Sequence, residues 1–333
     1  LALPHKRNGL LLIALAGLAS AVLFMTGFSG HVEATLLLLL CPLPLLLVGM
    51  TFGSKASLQS AITASIGVAA ASVLLAGATD QPAPAPPILT YLIIYWVANA
   101  LPSLLLLDFG QRCRLSPDKL SIRWPSVSAV VELLTLYGAL LLLAGLGFLQ
   151  FAIPDWVTQL GNAVRHALTL LPPNKNGPLL LTYLDSIVKI LPGTLVLLWM
   201  GNLLLNIYLA QMIAIRNQVI LRPPLFLIHL YFPKALALGF LAMLALSMQL
   251  PPSGLSILFD NLLYVIALPL ILVGIGVLQA MVLRQTGKAW LSGWLSSWLF
   301  FMMFIIGWPV LLLLLLGMLD PWLQTRQKSA KKA

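Results

Sequence analysis

LPGTLVLLWMGNLLLNIYLAQMIA, residues 191–214, carries no charged side chain along its whole length. As a helix it would be about 36 Å long, enough to cross the ~30 Å hydrocarbon core of a bilayer. Two residues disturb it. Asn202 and Asn206 stand one turn apart on the same face, and an amide in hydrocarbon is costly unless it finds a partner. The run extends from 187 to 214, so Asn202 falls near its centre and Asn206 lies about 6 Å further on. Gln211 lies deeper still, toward the same end.

The rest of the chain has the same character. Apolar runs cover 9–28, 34–53, 57–77, 88–107, 127–151, 232–250, 257–283 and 289–319. Of 333 residues, 60% are hydrophobic and 8% charged, and the mean hydropathy is +0.99. A soluble domain carries about 25% charged residues, so the solvent implied here is lipid. Barrel strands alternate over about ten residues, whereas these runs are continuously apolar for twice that. The fold class is all-α, a polytopic helical membrane bundle of about nine to ten segments. Pro42 and Pro44 interrupt the second run and predict a discontinuous helix there.

Net charge is +10, from 19 Lys+Arg against 9 Asp+Glu. In a membrane chain this excess marks cytoplasmic loops rather than a nucleic-acid surface, so no nucleic-acid partner is expected. With the N-terminus inside, the inner loops hold Lys6, Arg7, Lys55, Arg112, Arg114, Lys119, Arg123, Arg216, Arg222, Lys234, Arg284 and Lys288. The outer ones hold Arg165, Lys175 and Lys189. The N-terminal run is too long for a signal-peptide core and reads as a first transmembrane helix. The last run contains IIGWPV (305–310), whose Gly307 and Pro309 predict a hairpin, 289–306 out and 309–325 back. That places the basic tail 320–333 and both termini inside. The alternative is one tilted span with the tail outside.

Residues 1–333 read as a single membrane domain. Its extramembrane parts are the basic loop 108–126 and the outer loop 152–186. Within the latter, Val157, Leu160, Val164, Leu168 and Leu171 share one helix face, the pattern of an interfacial amphipathic helix. DQPAPAPP (80–87) is a stiff outer connection.

Few residues carry chemistry. Asn99 lies mid-run beside Trp96, with Pro102 loosening the backbone after it. Asn99, Asn202, Asn206 and Trp96 together make a candidate midplane pocket, with helix-to-helix hydrogen bonding as the alternative role. Glu132 is an acid well inside a run, with Arg216 its candidate partner. Small residues stand at spacings that are multiples of four, at Ala56, Ser60, Ala64, Ser72 and Ala76. Ala16/Ser20 and Gly17/Ala21 do the same in the first run. Such faces suit close packing, internally or against a membrane partner subunit. Trp290, Trp294 and Trp298 form a stripe. Cys41 and Cys113 are unsuited to a disulfide, and the histidines are scattered. There is no P-loop, HExxH or GxSxG, so no catalytic residue, metal or cofactor is expected.

Three stretches in order, CPLPLLLVGMTFGSKAS (41–57), LPGTLVLLWMGNLLLNIYLAQMIA (191–214) and LLGMLDPWLQTRQK (315–328), resemble the YybS-like bacterial membrane proteins, a family with no established activity. The resemblance implies a bacterial inner-membrane location. It places the family's middle-helix asparagine at Asn202 or Asn206, and its closing Gly, Asp, Trp and Arg at Gly317, Asp320, Trp322 and Arg326. Pro321 departs from the helix expected there. The family is distantly similar to the substrate-binding subunits of energy-coupling-factor transporters, and its genes often lie beside ribosomal-protein genes. Two functions follow: a protein that binds or transports a small molecule through a midplane pocket, or a non-catalytic scaffold for an envelope or translation-linked partner. The amides at one depth favour the first.

Overall fold

A computed structural model describes residues 6–28, 32–78, 88–115, 122–153, 155–169, 177–251, 253–288 and 308–323, with 291, 294, 295 and 298 between the last two ranges. Gly307, Trp290, the 80–87 connection and Arg326 of the tail lie outside these residues, as does the predicted hairpin tip.

The described chain is helical apart from one short ladder. Its helices are α1 (Lys6–Thr26), α2 (Val32–Leu38), α3 (Leu43–Phe52), α4 (Ser54–Ala78), α5 (Ile88–Tyr95), α6 (Leu101–Gln111), α7 (Val127–Ala152), α8 (Trp156–Thr169), α9 (Gly177–Arg216), α10 (Lys234–Gln249), α11 (Gly254–Thr286) and α12 (Trp308–Leu323). Among the described residues, six spans are long and apolar enough to cross a bilayer: Gly9–Thr26, Ser54–Leu74, Ile88–Gln111, Val127–Ala152, Ser186–Arg216 and Gly254–Thr286. Leu36–Phe52, Lys234–Gln249 and Pro309–Leu323 are shorter apolar helices. The sequence predicts about nine to ten segments, and among the described residues prolines shorten three of the apolar elements. Pro42 and Pro44 split the second run, Pro233 and Pro251 bound α10, and Pro309 stands in the first turn of α12, a position proline favours. Pro321 does not break the last helix, which continues to Leu323.

Contacts divide the chain into two compact units. Unit one is Leu1–Ser126 with Gly201–Leu225, and unit two is Val127–Met200 with Phe226–Ala333. The boundary falls inside α9.

In unit one, α1 and α4 cover each other's small-residue faces. Ala21, Ala56, Ser60 and Ala64 are buried there. A side chain on Gly17 would strike Ser60 and Thr63, and one on Gly67 would strike Ala21. Position 17 thus meets 60–64 and position 21 meets 67, so the two helices run in the same direction. The broken segment α2–α3 between them carries the chain back. At Gly17, Ala21, Ser60 and Ala64 the predicted small-residue faces therefore pack on each other within the unit, and the side chain of Ala76 lies outside the described residues. The basic loop contains an antiparallel ladder, Arg114 opposite Arg123 and Leu115 opposite Ile122.

In unit two, α11 is the central helix, buried from Ala267 to Val277 and packed by α7, α10 and α12. Gly274 and Gly317 bring α11 and α12 into backbone contact: a Cβ on Gly317 would strike Leu270 O, and one on Gly274 would strike Leu313 O. The first part of the apolar stripe of α8 packs on protein, while the Leu168 side chain and Leu171 lie outside the described residues. Trp156, Val157, Leu160 and Val164 join Leu184 and Val188 of α9 and Leu149 of α7. Trp294 and Trp298 stack with ring centroids 6.4 Å apart and are exposed.

Candidate functional site

The break between α2 and α3 follows from proline chemistry. Pro42 and Pro44 bring no N–H, so the turn tightens: Cys41 N–H reaches Leu38 O and Leu43 N–H reaches Leu40 O, both at 3.0 Å. The Leu39 and Cys41 carbonyls lose their helical donors. In lipid, backbone groups released this way have to be satisfied from within the protein. Asn206 Nδ2 donates to Leu39 O at 2.8 Å, and Ser20 Oγ donates to Cys41 O at 2.9 Å. Ser20 Oγ is also 3.1 Å from Tyr95 OH, and Cys41 Sγ faces Ser20 O at 3.5 Å. Ser20, Cys41 and Tyr95 are fully buried, with Phe24 edge-on to Tyr95.

Asn202 and Asn206 therefore act together. Asn206 Nδ2 also donates to Asn202 O at 2.8 Å and approaches Asn202 Oδ1 at 3.3 Å. The amide nitrogen faces only acceptors, which settles its orientation. Asn206 Oδ1 is buried with no hydrogen-bond partner among the described residues, as are Ser60 Oγ and Ser103 Oγ.

Trp96 and Asn99 lie in a π turn, Trp96–Ala100, between α5 and α6. Leu101 N–H reaches back five residues to Trp96 O, and Pro102 follows without an N–H. Trp96 Nε1 donates to Ser65 Oγ of α4 at 2.9 Å, and Asn99 is buried. No described hydrogen bond joins Trp96 or Asn99 to Asn202 or Asn206, so the four residues belong to one unit without forming one hydrogen-bonded cluster.

Three further amides, not predicted as site residues, do the same backbone work. Asn261 of α11 inserts into α9 just at Pro192. Its Nδ2 donates to Lys189 O at 2.8 Å and its Oδ1 accepts from Gly193 N–H. Gln111 bridges the α3–α4 corner, accepting from Ser54 N–H at 3.0 Å and donating to Gly49 O. Gln211 pairs with both main-chain groups of Leu225. Each bonds main-chain groups beside a proline or a glycine, and that coincidence is the signal in the sequence. At the same end as Gln111, Arg222 donates to Gly110 O at 2.7 Å and Pro125 O at 3.3 Å, with its guanidinium 5.9 Å from the Trp124 ring. Burial pushes the Arg222 pKa below its ordinary value.

Glu132 is exposed on α7, and Arg216 is exposed at the end of α9. Gly317 and Asp320 are buried in α12, and Trp322 is exposed.

A family model described as "Predicted membrane protein (DUF2232)" matches residues 18–321, which fits the YybS-like resemblance. No curated protein and no solved structure matches the chain.

Proposed function

The chain belongs to the DUF2232 family of predicted membrane proteins, and on that premise we propose that it binds a small molecule inside the membrane, in unit one, beside the break between α2 and α3. The observation that carries this reading is Asn206 Oδ1, a fully buried acceptor without a partner next to an interrupted helix. Interrupted helices are where membrane proteins build polar sites. A bare carbonyl oxygen favours a ligand that brings a donor, such as a hydroxyl or amine. Asn202 orients Asn206. Trp96 and Asn99, in a π turn of the kind often found at functional sites, supply the second wall. Transport would draw its energy from a partner or an ion gradient. In this reading the protein sits in a bacterial inner membrane with both termini cytoplasmic, following its Lys/Arg bias.

The test is native mass spectrometry of the chain taken from its own membrane into nanodiscs. A discrete small molecule should accompany the wild type and be lost from Asn206→Leu at unchanged helix content. If Asn206→Leu unfolds, Asn202→Leu replaces it, because it leaves the bond to Leu39 in place. A wild type that carries no small molecule, or a variant that keeps it, overturns the reading.

A second reading, a membrane scaffold, is favoured by the basic loop 108–126, which forms a ladder and is tied down by Arg222. Neutralising Arg112 and Arg123 should then release a specific protein in a pull-down. A change in topology alone would count against it.

A further inference from the structure

Three apolar elements, two of them long enough to span a bilayer, end together on one side of unit one. The apolar helix Leu36–Phe52 finishes there, the span Ser54–Leu74 begins there, and the span Ile88–Gln111 finishes there. Between these ends lies an open recess of about 330 Å³ lined by Phe52, Gly53, Ser54, Lys55, Asp108, Gln111 and Arg112. Because its walls are span ends, the recess lies at the depth where lipid head groups meet the hydrocarbon. Trp124, a residue type enriched at that depth, lies at the same end of the unit.

Its charges have a specific arrangement. Asp108 is engaged on both oxygens: Arg112 donates twice to Oδ2, at 3.0 and 2.6 Å, and Ser54 Oγ donates to Oδ1 at 3.3 Å. Arg112 keeps further N–H donors beyond those two. Lys55 is exposed and has no carboxylate or hydrogen-bond partner among the described residues. The lining therefore carries one net positive charge, with a free ammonium and a held guanidinium, and Phe52 is its large apolar member. The end of α4 contributes little beyond this, since Ser54 N–H is already taken by Gln111 Oε1. A basic recess between helix ends at head-group depth suits a phosphate anchored in the bilayer.

We propose that this recess binds the phosphate of an anionic phospholipid head group, with Lys55 and Arg112 as its cationic walls. The acyl chains run down beside Phe52, and the lipid becomes a structural component of this end of the unit.

The test uses the full chain in nanodiscs of mixed phosphatidylglycerol and phosphatidylcholine, with retained lipid read by native mass spectrometry. Phosphatidylglycerol should be retained in preference to phosphatidylcholine. Lys55→Gln should cut that preference about fivefold, and Lys55→Gln with Arg112→Gln about 30-fold, following the worth of one surface charge against an anionic leaflet. Lys55→Arg should restore it, and Arg123→Gln, at the same end but outside the recess, should leave it unchanged. Equal retention of both lipids, or an unaltered preference in the double variant, overturns the proposal. In nanodiscs of phosphatidylcholine alone, titration with inorganic phosphate separates the two sources of the group. Stabilisation matching that given by phosphatidylglycerol would assign the recess to soluble phosphate and overturn the lipid assignment.

Discussion

Asn261 and Gly193 meet through a bridge that stands in for a peptide. The Asn261 amide accepts the Gly193 N–H and donates to Lys189 O, the two groups that would bond each other in an uninterrupted helix. It also donates to Ile257 O on its own helix at 2.7 Å. Position 193 has to lack a side chain, because a Cβ there would lie 2.6 Å from Asn261 O and 2.8 Å from its Cα. Pro192 opens α9, Gly193 admits α11, and Asn261 closes the gap. Asn261→Leu should leave two main-chain groups unpaired in an apolar setting and cost about 2–4 kcal/mol. Gly193→Ala should cost about 1–3 kcal/mol through displacement of α11. Reversible unfolding in mixed micelles, followed by tryptophan fluorescence, gives both values. The double variant should cost less than their sum, since either change alone already separates the pair.

Asn206 has the corresponding role in unit one. Asn206→Leu deprives Leu39 O of its donor and should cost about 1–3 kcal/mol. Asn202→Leu removes only an acceptor at 3.3 Å and should cost less, about 0.6 kcal/mol. The same unfolding measurement ranks them, and equal costs would show that the Leu39 bond is unimportant.

The dependence of Asn206 on the broken helix can be tested directly. Pro42→Ala with Pro44→Ala restores the N–H groups whose absence releases Leu39 O. In that background Asn206→Leu should lose most of its cost. A double-mutant cycle should give a coupling of about 1 kcal/mol or more.

The two thiols differ in access. Cys41 is buried in the break, and Cys113 is exposed in the basic loop. A maleimide that crosses membranes should add one label to the folded protein, at Cys113, and two after denaturation. Intact-mass spectrometry counts them. Labelling of Cys41 in the folded protein would mean that the cluster of Ser20, Cys41 and Tyr95 opens to the reagent.

Arg222 ties the end of α6 to the close of the basic loop through Gly110 O and Pro125 O. A lysine has no planar fork and cannot hold both carbonyls in that geometry. Arg222→Lys should therefore raise amide hydrogen exchange around Gly110 and in the ladder about tenfold, a loss of about 1.4 kcal/mol of local stability. Exchange elsewhere in unit one should be unchanged.

The sequence by itself determined the solvent. Composition and run length are local and additive properties, so lipid surroundings, an all-helical fold and the interruption at Pro42 and Pro44 were legible without a structure. So was the site's raw material: amides beside prolines. What each amide bonds was not legible, because the partners are remote in the chain. Asn206 is 167 residues from Leu39, Asn261 is 72 from Lys189, and Ser20 is 75 from Tyr95. Asn261 is the plainest case: it sits one residue from Asp260 and reads as the polar edge of a span until α9 is placed against it. The tertiary structure decided that these amides complete broken backbones, since in hydrocarbon a released carbonyl must find a donor within the protein, and only the packing of the helices says which donor can reach it.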